Sequence, residues 1–254
     1  MSVRVARRGA AAMLCVFATS ACEHPAAAPA PTPSSVRTGS PLPDPRGDLA
    51  ARAAAALDRR EVAVYQWTPP GGATRSVVLT RAVDGGWRAD IAKAALGGSA
   101  DIAIARTKEG AYHCALASAD RLITPRCARV GGTQAGINSD IDPRVQHVFV
   151  DWLEIFTDRD TAIAVSAVPP PRGLRGDCFA AQANAASLPA PIEAGTYCYD
   201  DGGLLVGARL GLGALTLVGS PSEAPPTISL PGPVTDDRPL PLRRPPTPSP
   251  SDDS

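Results

Sequence analysis

The 254-residue chain predicts an α+β fold: an antiparallel sheet packed on one or two helices, in a single domain with disordered termini. Short runs of alternating apolar and polar residues recur between Gly, Pro and Asp turns from residue 61 to 219. Two segments, one opening near Asp48 and one near Asp142, carry apolar residues at helical spacing. Both ends are rich in proline and poor in large apolar side chains, too poor to repay the entropy of ordering.

The chain begins with Arg4, Arg7 and Arg8, followed by an uncharged run from Gly9 to Ala21. That is a basic n-region, a short apolar h-region and a small-residue cleavage site. The apolar run is shorter than the roughly 20 residues a membrane span needs. Arg7-Arg8 leaves a twin-arginine export route open beside the general secretory one. The residues Ala18-Thr19-Ser20-Ala21-Cys22 resemble a lipobox, although Thr19 stands where leucine is usual. Residues 1–21 are thus expected to be a lipoprotein signal peptide and Cys22 the lipidated mature N-terminus. Ordinary cleavage near Ala21 would instead leave Cys22 a spare thiol. Cysteine arithmetic favours lipidation: Cys15 leaves with the leader, and Cys114, Cys127, Cys178 and Cys198 form an even set without Cys22. The expected location is the extracytoplasmic face of a cell membrane, with the membrane itself a partner through the anchor.

Residues 22–47 read as a Pro-rich, extended spacer after the lipidated cysteine. The folded domain is expected over 48–230 and a Pro-rich disordered tail over 231–254. Asp48 is a candidate N-cap for a first helix with Leu49, Ala53, Ala56 and Leu57 on one face. Arg59 and Arg60 then suit its negative end. Strands follow at 61–68, 75–83 and 87–91, separated by Pro69-Pro70-Gly71-Gly72 and Asp84-Gly85-Gly86. Another pair, 101–106 and 111–117, flanks Lys108-Glu109-Gly110. Asp142-Pro143 then reads as N-cap and first helical position of a second helix. Val145, Val148, Phe149, Trp152 and Phe156 form its apolar stripe. Strands resume at 161–168, 177–181, 195–199, 204–210 and 214–219, with 227–230 a short edge strand bounded by prolines.

Cys114 and Cys127 lie symmetrically about a turn at Asp120-Arg121, so a cross-strand disulfide fits a hairpin there. Cys178 and Cys198 flank a longer connection in the same manner. Each bridge contributes about 3 kcal/mol in the chain-entropy picture. Metal binding is the rival reading, but the chain has no Cys-x-x-Cys and its three histidines lack zinc spacing. His113 is expected on the sheet face opposite Cys114.

The lipobox, spacer, first helix and strand series resemble the actinobacterial cell-envelope lipoproteins of the LolA/LprG-like kind. Tyr112-His113-Cys114 with Cys127, and Gly195 to Gly203 followed by Leu204-Leu205-Val206, carry that resemblance. It implies a curved half-barrel around a helix whose concave face holds lipid or glycolipid. Val148, Phe149, Trp152 and Phe156 are the candidate ligand lining, although an aromatic stripe of this spacing more often packs as plain core.

Acids and bases balance at 25 each, with no basic tract, so nucleic acid is not an expected partner. No catalytic constellation stands out, and the chain is read as a non-enzyme without cofactor or metal. The oxygen-rich run Asn138 to Asp142 fails as a calcium loop, because Pro143 occupies the place of the required glycine. The sequence points to an anchored lipoprotein binding a lipid or other amphiphile. The alternative is an anchored interaction module with a filled core, whose protein partner the sequence does not name.

Overall fold

The computed structural model describes residues 43–118, 122–132, 136–184 and 190–244. The signal peptide, Cys22, spacer residues 23–42, the turn at Asp120-Arg121 and tail residues 245–254 lie outside the described residues.

The first helix, α1 (Pro45–Asp58), starts earlier than the sequence suggested. Asp44, not Asp48, is its N-cap: the carboxylate accepts from the Gly47 amide at 2.9 Å and Pro45 opens the first turn. A proline at the end of a Pro-rich spacer read as spacer, whereas its fixed φ suits a first helical position. Leu49, Ala50, Ala53 and Ala56 form the buried face. Arg59 and Arg60 lie just past the helix rather than in its last turn, yet Arg60 still donates to the Leu57 carbonyl at 2.8 Å.

The first half of the domain then runs β1 (Glu61–Thr68), β2 (Arg75–Arg81), β3 (Trp87–Ala95), β4 (Ala100–Thr107), β5 (Gly110–Ala115) and β6 (Arg126–Gly131). After a 3-10 turn, Val145–Phe149, comes α2 (Asp151–Thr157). The second half adds β7 (Ile163–Val168), β8 (Asp177–Ala183), β9 (Gly195–Tyr199), β10 (Leu205–Leu210) and β11 (Gly213–Ser222), with a final short β12 (Val234–Thr235). All belong to one open twelve-stranded sheet in the order β12-β6-β5-β4-β3-β2-β1-β11-β10-β9-β8-β7. Each half is an antiparallel meander, and β1 and β11 join them. The β12–β6 pair alone runs parallel among the described residues. Register shifts in β3–β4, β1–β11, β9–β10 and β5–β6 mark bulges that bend and twist such ladders.

The two faces separate by alternation. Ile102 and Ile104 join the central core with Tyr65, Trp67, Leu79 and Ile91, under α1 and α2. Ala103 and Ala105 point the other way, into a small cluster with Tyr112, Cys114 and Cys127. Both expected disulfides form: Cys114–Cys127 and Cys178–Cys198 are directly opposed cross-strand pairs with Cα atoms 3.9 and 4.1 Å apart. Both sit on the face away from the helices, each in its own small apolar cluster.

Two expectations change. The second helix does not run unbroken from Asp142. Arg144 takes a left-handed φ of 65°, and Val150 (φ −135°, ψ −90°) separates the 3-10 turn from α2. Nor is 227–230 a strand: Ile228 and Leu230 instead cover the Cys114–Cys127 cluster. Residues 231–244, expected to be tail, are seated on the domain. Val234–Thr235 pairs with the β6 edge, and Leu240 and Leu242 pack against the central core. The segment from Pro225 to Arg244 therefore folds over the β6 edge, touching one face before it and the other after it. Backbone bonds pin it: Val83 and Asp84 amides to Pro225 and Pro226, Cys127 to Pro233, and Leu96 and Gly97 to Pro241 and Leu242, all at 2.8–3.1 Å.

Among the described residues no helix is long and apolar enough to cross a membrane.

Candidate functional site

Registers of three successive hairpins align one row of side chains across the sheet. Glu61 opposes Arg81, Arg81 opposes Trp87, and Trp87 opposes Arg106. The row lies at the end of the strands, where the β2–β3 turn (Asp84, Gly85, Gly86) and the β4–β5 turn (Lys108, Glu109) emerge. Above it sit the end of α1 and the break at Val150. Together they enclose a cleft of about 330 Å³ with an apolar wall of Leu57, Phe149, Val150 and Trp87. Its cations are Arg60, Arg81, Arg106 and Lys108, and its acids Asp84, Asp151 and Glu154.

The two arginines of the row are incompletely satisfied. Arg81 is 8 % exposed. One of its amino groups donates to the Ala56 carbonyl at the end of α1, while its Nε is buried without a partner. Burial, only partly offset by Tyr65 and Glu61, depresses its pKa. Glu61 itself is held by Arg59, whose Nε lies 2.8 Å from Oε1. Arg106 stacks over Trp87 at 5.5 Å and reaches Asp151 at 3.5 Å, with its own Nε buried and unpartnered. A buried guanidinium with spare donors is costly unless something accepts from it.

A second polar cluster supports the cleft from behind. Asp142 fails as a helix cap but organises the turn: one oxygen accepts from the Arg144 amide at 2.9 Å and from Gln146 Nε2 at 2.5 Å. Its other oxygen lies 2.8 Å from His147 Nε2, and His147 Nδ1 meets Asp151. Burial opposes a charge on this imidazole, but hydrogen bonds to Asp142 and Asp151 and their negative charges prevail, raising its pKa to about 9. Asp142, which burial alone would push up, is held low by the same bonds. Protonated His147 therefore neutralises much of Asp151. The cleft's positive character rests on Arg60, Arg81, Arg106 and Lys108 against Asp84 and Glu154.

Of the lining expected from sequence, Phe149 borders this cleft. Val148, Trp152 and Phe156 are buried in the central core. Phe149 packs on Tyr65 at 4.7 Å, and Phe156 and Trp152 meet Tyr197 edge-on at 4.9 and 6.3 Å. Arg81, Trp87 and Arg106 escaped the sequence reading. The signal was present in the hairpin spacings, since a turn at Asp84-Gly85-Gly86 places 81 opposite 87. No motif marks those residues, and their juxtaposition appears only when registers are counted across three strands. Among the described residues no group of three or more His, Cys, Asp or Glu side chains is placed to hold a metal ion.

No protein-family model matches the chain, and no curated protein matches it.

Proposed function

We propose that the chain is a membrane-anchored extracytoplasmic lipoprotein whose domain binds an amphiphile with an anionic head in the cleft beside Arg81, Trp87 and Arg106. One observation carries the ligand class: Arg60, Arg81, Arg106 and Lys108 line one cleft beside an apolar wall, against Asp84, Asp151 and Glu154. An anion entering the cleft would meet these cations, and charge-assisted bonds to guanidinium and ammonium groups are the strong ones. Leu57, Phe149 and Val150 would take the first part of an apolar chain. The volume stands at the lower end of ligand pockets, which suits a head and a short chain segment rather than two full acyl chains. The anchor and location rest on the leader and Cys22.

A second reading, an anchored interaction module with a filled core, draws support from the close packing of Trp152 and Phe156 on Tyr197.

Titration calorimetry separates the two. The Cys22→Ala chain is titrated with dodecyl phosphate and with dodecyltrimethylammonium, both below their micelle concentrations. The expected result is binding of the phosphate only, weakened at least about tenfold by Arg81→Gln or Arg106→Gln. Absence of binding, or equal binding of both probes, overturns the amphiphile reading in favour of the interaction module.

A further inference from the structure

His113 is an ionisable side chain buried with nothing to bond to. It is 1 % exposed, and neither ring nitrogen has a hydrogen-bond partner. On β5 it stands between Ile104 of β4 and Ala128 of β6, on the sheet face opposite Cys114. Beside it lies a gap of about 10 Å³, at the lower limit for one water molecule. Every residue bordering that gap belongs to β5, β6 or the C-terminal strap, which lays residues 237–240 over it.

The surroundings hold no counter-charge in reserve for a proton there. β6 presents Arg126, and the strap presents Asp237 and Arg238. Asp237, the acid bordering the gap, is already held by Arg126 at 3.0 Å. On β4 the same face carries Ile102, Ile104 and Arg106, and Arg106 is turned to Trp87 and Asp151. An imidazolium in this place would be a buried charge without room for a hydration shell or a carboxylate of its own, which is costly. Of the three walls, one can give. β5 and β6 are tied by their ladder and by the Cys114–Cys127 bridge. The strap pairs with β6 through two residues, Val234 and Thr235. Pro231, Pro233, Pro239 and Pro241 have no N–H to donate, so few bonds hold it.

We propose that His113 is an acid trigger for the C-terminal strap: a proton taken up beneath residues 237–240 releases the strap from β6 while the rest of the sheet stays folded. Release admits water to the imidazole and uncovers the β6 edge that β12 closes. A segment held by so few bonds opens ahead of the core. Burial lowers the pKa of His113 to about 4 beneath the strap, whereas in the released state it returns towards 6.5. The released state therefore binds more protons between those values, and opening grows as pH falls through that window. His147, raised to about 9, stays charged throughout it. The proposal is independent of what the cleft binds.

Hydrogen–deuterium exchange of the Cys22→Ala chain tests this, read at about pH 7.5 and about pH 5 and corrected for intrinsic rates. Strap amides such as Val234, Thr235 and Leu242, with the Cys127 amide that bonds to Pro233, are expected to open at least about tenfold more readily at the lower pH. Amides of β1 and β2 are expected to keep their protection. In His113→Phe, and separately in His113→Leu, the strap is expected to open alike at both pH values. Strap opening that does not change with pH overturns the proposal. So does loosening of strap and central strands together, which would mean unfolding of the domain rather than release of a latch. A His113 variant that folds and keeps the pH dependence assigns the trigger to another group and overturns it as well.

Discussion

His113 and His147 sit in opposite electrostatic settings, and the pH dependence of stability follows from the pair. His113 is buried on β5 with both ring nitrogens unpartnered, and burial lowers its pKa to about 4. Between about 4 and the unfolded value of 6.5 the unfolded chain binds more protons, so stability falls as pH drops through that window. His147, raised to about 9, works the other way: its contribution is complete below 6.5 and is lost as pH rises towards 9. Each limb is worth about 3 kcal/mol at most. Urea unfolding from pH 4 to pH 9 should therefore peak near neutrality. His113→Phe is expected to flatten the acid limb, and His147→Gln the alkaline one. His113→Phe should cost little at neutral pH, since it removes two buried groups that bond to nothing. The sequence placed His113 on the face opposite Cys114 correctly, but exposed neither its isolation nor the carboxylates around His147. Asp142 lies five residues away and Asp151 four, within one irregular turn whose geometry no propensity specifies.

At the scale of elements, the C-terminal strap departs most from its composition. Proline-rich chain without core formers reads as solvated, yet Leu240 and Leu242 pack against the core and Pro carbonyls accept from sheet and turn amides. Proline lacks an N–H but keeps its C=O, so it can lie along an edge as an acceptor. Truncation after Leu230 is expected to remove about 2–4 kcal/mol, through lost burial of the two leucines and exposure of the β6 edge. Thermal unfolding with light scattering would read both the lower midpoint and increased aggregation. A merely solvated tail would leave both unchanged. The helices show the complementary case. α1 was legible apart from its cap, since alanine and leucine spacing sufficed. The second helix was legible only as a buried stripe: Val145, Val148, Phe149, Trp152 and Phe156 are all buried, although the backbone beneath them switches from 3-10 to α at Val150. Burial follows the pattern of side chains, whereas the backbone break at Val150 leaves no mark in that pattern.

For the whole molecule, the proposed placement outside the cytoplasm has a direct check. Cys22→Ala is expected to move the protein from the membrane fraction to the soluble extracytoplasmic fraction in intact cells. The unaltered chain should carry acyl mass on its N-terminal cysteine. A variant that stays membrane-bound would remove the anchor from the proposal and leave the cleft untouched. The four cysteines of the domain, paired in register across strands, accord with an oxidising compartment.

Local sequence determined the elements that depend on neighbouring residues: strand alternation, hairpin turns, the Ala-rich helix and the Cys114–Cys127 pair, because period and turn chemistry act over a few residues. Only the tertiary structure decided the joining of β1 to β11, the wrapping of the strap over β6, the filling of the core by Trp152 and Phe156, and the row of Arg81, Trp87 and Arg106. These depend on register and on competition for burial between segments far apart in the chain, which no local pattern encodes.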